Sequence, residues 1–120
     1  GGNDVIYPGH NAATFERSLE VILAALPPGS FVADVPWFMV PGLGKASQRM
    51  SVLASALVER HGHHLVPLHR TSRETGVLGY HRHTAGDFFH PNDRGYEGWA
   101  ETFWAAIVAS GRVDLLRVDD

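Results

Sequence analysis

Two short, mostly apolar runs, Phe31-Val32-Ala33-Asp34-Val35 and His64-Leu65-Val66-Pro67-Leu68, lie either side of a single amphipathic helical pattern. That order constrains the fold more than any other feature of the chain. Short apolar runs bounded by turn residues read as buried strands, and two of them joined through a helix read as a parallel pair. Pro36 closes the first run. In the second, Pro67 has no N–H to give to a ladder, so it belongs at a sheet edge or at the end of its strand.

Helical spacing accounts for most of what remains. Phe15, Leu19, Ile22, Leu23 and Leu26 predict a helix ahead of the first strand, with Asn11 or Thr14 as N-cap and Pro27-Pro28-Gly29 as its stop. Met50, Leu53, Ala54, Leu57, Val58 and His61 predict the helix between the strands, ended by Gly62. The clearest period is Tyr96, Trp99, Ala100, Phe103, Trp104, Ile107 and Val108, capped by Asn92 or Asp93 and ended by Gly111. Trp37 to Gly44 is expected to be a loop. Residues 69–89, rich in His, Arg, Thr and Gly, are expected to form a long polar loop of the kind that usually carries function in a compact domain. The order helix, strand, helix, strand, helix predicts an α/β fold with a parallel sheet. Two strands leave an apolar edge unpaired, so further strands are expected ahead of residue 1.

Composition narrows the function classes. The length of 120 residues suits one modest domain. With 44% apolar and 19% charged residues the chain reads as a soluble globular protein. A net charge of −3 supplies no basic field for nucleic acid. The absence of cysteine excludes disulfides and thiolate metal sites. No apolar run approaches the ~20 residues that span a bilayer. The chain opens on Gly1 with no charged-then-apolar leader, so processing or truncation is expected to have removed what came before, and localisation is not legible.

The chemistry concentrates in Gly86-Asp87-Phe88-Phe89-His90-Pro91-Asn92-Asp93-Arg94-Gly95-Tyr96. Asp87 can accept a hydrogen bond from His90 Nδ1–H if the loop turns between them. That bond would fix the tautomer and leave Nε2 as a general base. Pro91 keeps His90 out of helical geometry as the chain enters the last helix. The plainer alternative is a capping loop whose Asp and His satisfy local backbone groups. Other patterns carry less. His61, His63 and His64, and His81 with His83, cluster without the H-E-x-x-H spacing of a zinc site, so no metal or cofactor is implied. Gly42-Leu43-Gly44-Lys45 lacks the first glycine and the Ser/Thr of a phosphate loop, with Met39 and Ala46 in those places. Trp37, Phe38 and Met39 follow a strand's carboxyl end and are candidates either for a pocket wall or for core.

The D-x-x-H-P-N run at residues 87–92, followed by Gly95-Tyr96 and an amphipathic helix, resembles the last conserved block of the SGNH/GDSL hydrolase superfamily. Gly1-Gly2-Asn3-Asp4 is similar to the G-x-N-D of that family's third block. The resemblance implies a flavodoxin-like three-layer α/β/α fold with a parallel sheet, here incomplete and lacking its N-terminal strands. Residues 1–120 would be the C-terminal part of a single esterase-type domain. It implies Asp87 and His90 as the acid and base of a Ser-His-Asp triad. It also implies Asn3 as an oxyanion donor, with Gly1 allowing close backbone approach to the oxyanion hole. The family's Gly-Asp-Ser nucleophile block is not in this sequence. Ser18, Ser30, Ser47, Ser51, Ser55, Ser72 and Ser110 all lie outside such a context. The nucleophile is therefore expected on a missing N-terminal segment, and residues 1–120 alone are expected to be inactive. The implied partner is a small-molecule ester, with acyl group, alcohol and the choice between hydrolysis and acyl transfer left open. The rival reading is a non-catalytic binding or interaction module on a degenerate hydrolase scaffold, with His-mediated metal binding as one form of it.

Overall fold

The computed structural model describes residues 12–40 and 42–112. Among them it is a mixed α/β fold, mostly helical, with five α-helices and two parallel strands in one sheet. Helix α1 (Ala12–Ala25) leads into β1 (Phe31–Ala33), α2 (Leu43–Arg60) and β2 (His64–Val66). Then follow α3 (Leu68–Glu74), α4 (Gly76–His83) and α5 (Asp93–Ala109).

The strands pair Phe31 with His64, Val32 with Leu65 and Ala33 with Val66. Backbone bonds from His64 N to Ser30 O (2.8 Å) and from Asp34 N to Val66 O (3.2 Å) hold the two ends of that register. Helix α2 buries Ser47, Met50, Ser51, Ala54, Leu57 and Val58, a three- and four-residue spacing that keeps one face inward. It meets Phe15 and Leu23 of α1 in two adjoining clusters. Phe15, Val35, Phe38, Met50 and Ala54 form one; Leu23, Leu57 and Val58 form the other; Leu19 and Leu53 pack against both. Val32 and Leu65 pack into the second cluster. Strand alternation sends their neighbours Phe31 and His64 to the opposite face, where the two rings stack at 4.8 Å.

Turn chemistry follows the sequence where glycine was needed. Gly62 takes φ 73, so that α2 stops and His63 N can reach back to Val58 O at 3.0 Å. Pro67 lies directly after β2, at the start of α3, where its missing N–H costs no ladder bond.

Two expectations are corrected. Residues 69–89 are not one long loop, because α3 and α4 occupy most of them and the loop shrinks to 84–92. Thr14 lies inside α1 and does not cap it, while Asn11 falls outside the described residues. Ile22, one of the residues whose spacing marks α1, is 55% exposed, because α1 turns only Phe15 and Leu23 fully inward. The apolar period of α5 also divides into two rows. Trp99, Phe103 and Ile107 are half-buried, whereas Tyr96, Ala100, Trp104 and Val108 face solvent. No helix among the described residues is long and apolar enough to cross a membrane.

Candidate functional site

The loop from Thr84 to Asn92 is closed at its base by backbone. Thr84 and Pro91 form an antiparallel bridge, Ala85 N donates to His90 O at 2.7 Å, and Asn92 N donates to His83 O at 3.0 Å. Asn92 uses both ends of its amide. Its Oδ1 accepts from Gly95 N at 3.0 Å, capping α5, and its Nδ2 donates to the carbonyls of Arg82 (2.7 Å) and Thr84 (3.2 Å). The end of α4 and the start of α5 are thus pinned to one side chain. Gly95 completes the joint, since a Cβ there would collide with the His83 carbonyl and the Pro91 ring.

Within this frame the loop tip turns through Phe88. Phe88 N donates to Ala85 O at 3.0 Å, and Phe88 has φ 56, the one positive φ of a non-glycine among the described residues. The turn folds Asp87 back over the chain that follows. Asp87 Oδ1 accepts from the backbone N–H groups of Phe89 and His90, each at 3.0 Å. Oδ2 accepts from His90 Nδ1 at 2.6 Å.

A carboxylate has only acceptors to offer, so the proton of this short bond resides on Nδ1. In the neutral imidazole Nε2 then carries the lone pair, and it makes no hydrogen bond among the described residues. Asp87 is held well below the ordinary carboxylate range, at about 2, chiefly by the His90 bond and then by the two backbone N–H groups. The acid is therefore ionised at neutral pH. Both side chains are open to solvent, at 65% for His90 and 48% for Asp87.

His90 and Phe89 border a cavity of about 1100 Å³. Pro36, Trp37 and Phe38, which follow the carboxyl end of β1, and Pro67, which follows β2, line it too, and Trp99 of α5 contributes to the wall. Trp37 is fixed there by its N–H, which donates to Ser72 Oγ at 2.9 Å, and by an edge-on contact with Tyr80 at 5.5 Å. Phe38 splits from it, burying its ring in the core as well as reaching the cavity.

Of the four residues singled out from sequence, the structure brings Asp87 and His90 together; Asn3 and Gly1 lie outside the described residues. No serine hydroxyl among the described residues bonds to His90. Ser30, Ser47, Ser51, Ser55, Ser72 and Ser110 all donate elsewhere.

The histidine cluster at the end of α2 divides into separate structural roles. His63 is buried, with Nδ1 accepting from Ser30 N at 3.2 Å and Nε2 donating to Leu23 O at 2.8 Å. His64 stacks on Phe31. Among the described residues no three His, Asp or Glu side chains converge as a metal-binding set.

Sequence reasoning passed over Tyr80. Its ring is buried at 4% exposure and its hydroxyl donates to the Phe88 carbonyl. The available signal was one aromatic residue beside Val77 and Leu78 in a stretch otherwise rich in Gly, His, Arg and Thr.

Comparison with protein-family models, with curated proteins and with solved structures gives no match to this chain.

Proposed function

We propose that residues 1–120 form the C-terminal part of an SGNH-type serine hydrolase domain that cleaves a carboxylic ester. The observation that carries this reading is the 2.6 Å bond from His90 Nδ1 to Asp87, set just before α5 and beside a cavity whose lining extends from Trp37 and Pro67, which follow the two strands, to His64 of β2 and the end of α5. The parallel strands, with α1 and α2 against one face, support the three-layer α/β/α architecture. In the complete domain His90 Nε2 takes the proton of a serine Oγ supplied by polypeptide outside residues 1–120. The serine oxygen then attacks the ester carbonyl. Asp87 holds the imidazolium in place until it returns the proton to the leaving alkoxide, and water repeats the cycle on the acyl-enzyme. Asn3 donates its side-chain amide to the tetrahedral oxyanion, and Gly1 keeps the backbone close enough for that contact.

The test is made on the complete protein that contains this segment. A fluorophosphonate should label one serine outside residues 1–120, and p-nitrophenyl acetate should be hydrolysed. Both should be lost on His90→Ala. Asn3→Ala should lower kcat by ~10²–10³ with KM little changed. Intact protein that takes no label and turns over no ester would defeat the reading, and a rise in KM alone would remove Asn3 from the oxyanion hole.

A further inference from the structure

The turn that carries the chain from Asp87 to His90 passes through a left-handed backbone at the residue after Asp87. Phe88, at φ 56, is a bulky side chain in a region that glycine or asparagine occupies far more readily. Such a conformation persists when its surroundings over-determine it. Two bonds do so here. Phe88 N donates to Ala85 O at 3.0 Å, and the Phe88 carbonyl accepts from the Tyr80 hydroxyl. Tyr80 itself has little freedom, since it sits on α4, is almost fully buried, and takes the Trp37 ring against its own. The Phe88 side chain supplies little in return. It is 45% exposed and touches the His81 ring edge-on at 5.2 Å.

We infer that Tyr80 is a positioning residue for the Asp87–His90 pair: its buried hydroxyl holds the Phe88 carbonyl and so fixes the left-handed turn that presents Asp87 to His90 Nδ1. The hydroxyl is suited to that role because burial, foremost, pushes the phenol above its ordinary value, so it stays protonated and able to donate at neutral pH. Tyr80 makes no hydrogen bond to either member of the pair, so it acts through the backbone of a residue between them. Its importance for catalysis rests on the hydrolase reading above; its importance for the geometry does not.

The experiment follows the His90 Nδ1–H proton by NMR in the full-length protein, since a proton held between imidazole and carboxylate resonates far downfield and exchanges slowly. Tyr80→Phe keeps the ring and its packing on Trp37 and removes only the hydroxyl. The Nδ1–H signal should broaden or vanish as it does in Asp87→Asn, and kcat on p-nitrophenyl acetate should fall about fivefold with KM little changed, the scale of one net hydrogen bond. Adding Phe88→Asn to Tyr80→Phe should bring the signal back, because asparagine holds the left-handed conformation without help. Phe88→Val acts on the same backbone from an exposed position and leaves Tyr80 intact; a β-branched residue resists positive φ, so it too should lose the signal. A full Nδ1–H signal in Tyr80→Phe would overturn the inference. Loss of the signal in a protein whose wild type hydrolyses no ester would support the role of Tyr80 and sink the hydrolase reading alone.

Discussion

Phe89 stacks on Phe38 with ring centroids 4.7 Å apart and planes 9° apart. Phe38 belongs to the buried cluster of Phe15, Val35, Met50 and Ala54, so the stack ties the 84–92 loop directly to the core. The next residue is His90, whose ring stands edge-on to Phe89 at 5.0 Å. An exposed imidazole is thus held from both sides, by a core-anchored aromatic on one and by the Asp87 carboxylate on the other. Replacing Phe89 should therefore cost both stability and order at His90.

Phe89→Ala should destabilise the protein by about 1–3 kcal/mol, less than the full cost of a buried Phe→Ala because Phe89 is only partly buried. Phe89→Leu should lose less than half of that. Urea denaturation measures the difference. Equal midpoints for wild type and Phe89→Ala would show that the stack contributes nothing.

Gly95→Ala sets two effects against each other. Alanine raises helix propensity by roughly 1 kcal/mol over glycine. Its Cβ, however, would press on the His83 carbonyl and sit 2.9 Å from the Pro91 Cβ, and backbone cannot yield as a flexible side chain does. The net change should be destabilising by about 1–3 kcal/mol. Gly98→Ala serves as the control, since no atom lies within 4 Å of its Cβ position and only the propensity gain remains. A thermal melt in which both variants rise together would refute the close-approach argument.

The contrast between those two glycines mirrors what the sequence could and could not reveal. Phe15, Leu23, Met50, Ala54, Leu57 and Val58 mark their helices because buried apolar side chains recur at helical spacing, and β1 and β2 stand out as apolar runs. Helices α3 and α4 did not stand out because each buries a single large residue, Leu68 or Tyr80, and one residue has no period. The remaining positions are mostly Arg, His, Thr, Ser, Glu and Gly, which read as loop, and the two other apolar residues, Val77 and Leu78, are exposed. Asp87 and His90 were legible as a spaced pair. The left-handed Phe88 that joins them was not, because nothing about a phenylalanine announces positive φ. The hydrogen bond from buried Tyr80 depends on where α4 packs, which no local pattern encodes.

Asp34 carries a structural burden of its own. Its Oδ2 accepts from Ser51 Oγ at 2.7 Å and its Oδ1 from His69 N at 2.8 Å, which ties the end of β1 to α2 and to the first turn of α3. Ser51→Ala should cost about 1–2 kcal/mol, for one bond removed with its donor. Asp34→Ala should cost more, about 2–4 kcal/mol, because it strands the Ser51 hydroxyl and the His69 N–H with no acceptor. Neither change should disturb the His90 Nδ1–H signal, since the network does not touch the loop. Denaturation curves with the costs reversed would show that the Ser51 hydroxyl has another role.

The Asp87–His90 bond sets a pH dependence whose sign is fixed by the direction of the shift. Asp87 titrates at about 2 in the folded protein, down from the ordinary 3.8. Between those values the unfolded chain binds more protons at this site than the folded one, so stability rises with pH there. The contribution of Asp87 is complete above about 3.8 and is lost as pH falls through about 2. Carboxyl carbon NMR of Asp87 should give a midpoint near 2 in wild type. His90→Ala removes the largest cause and should raise the midpoint. It should stop short of the ordinary value, because the backbone N–H groups of residues 89 and 90 still donate to Oδ1. Asp87→Asn should accordingly be less stable than wild type at neutral pH, with the gap closing as both are acidified. An Asp87 midpoint at the ordinary value in wild type would mean that the bond to His90 does not form in solution, and the pairing on which the catalytic reading depends would go with it.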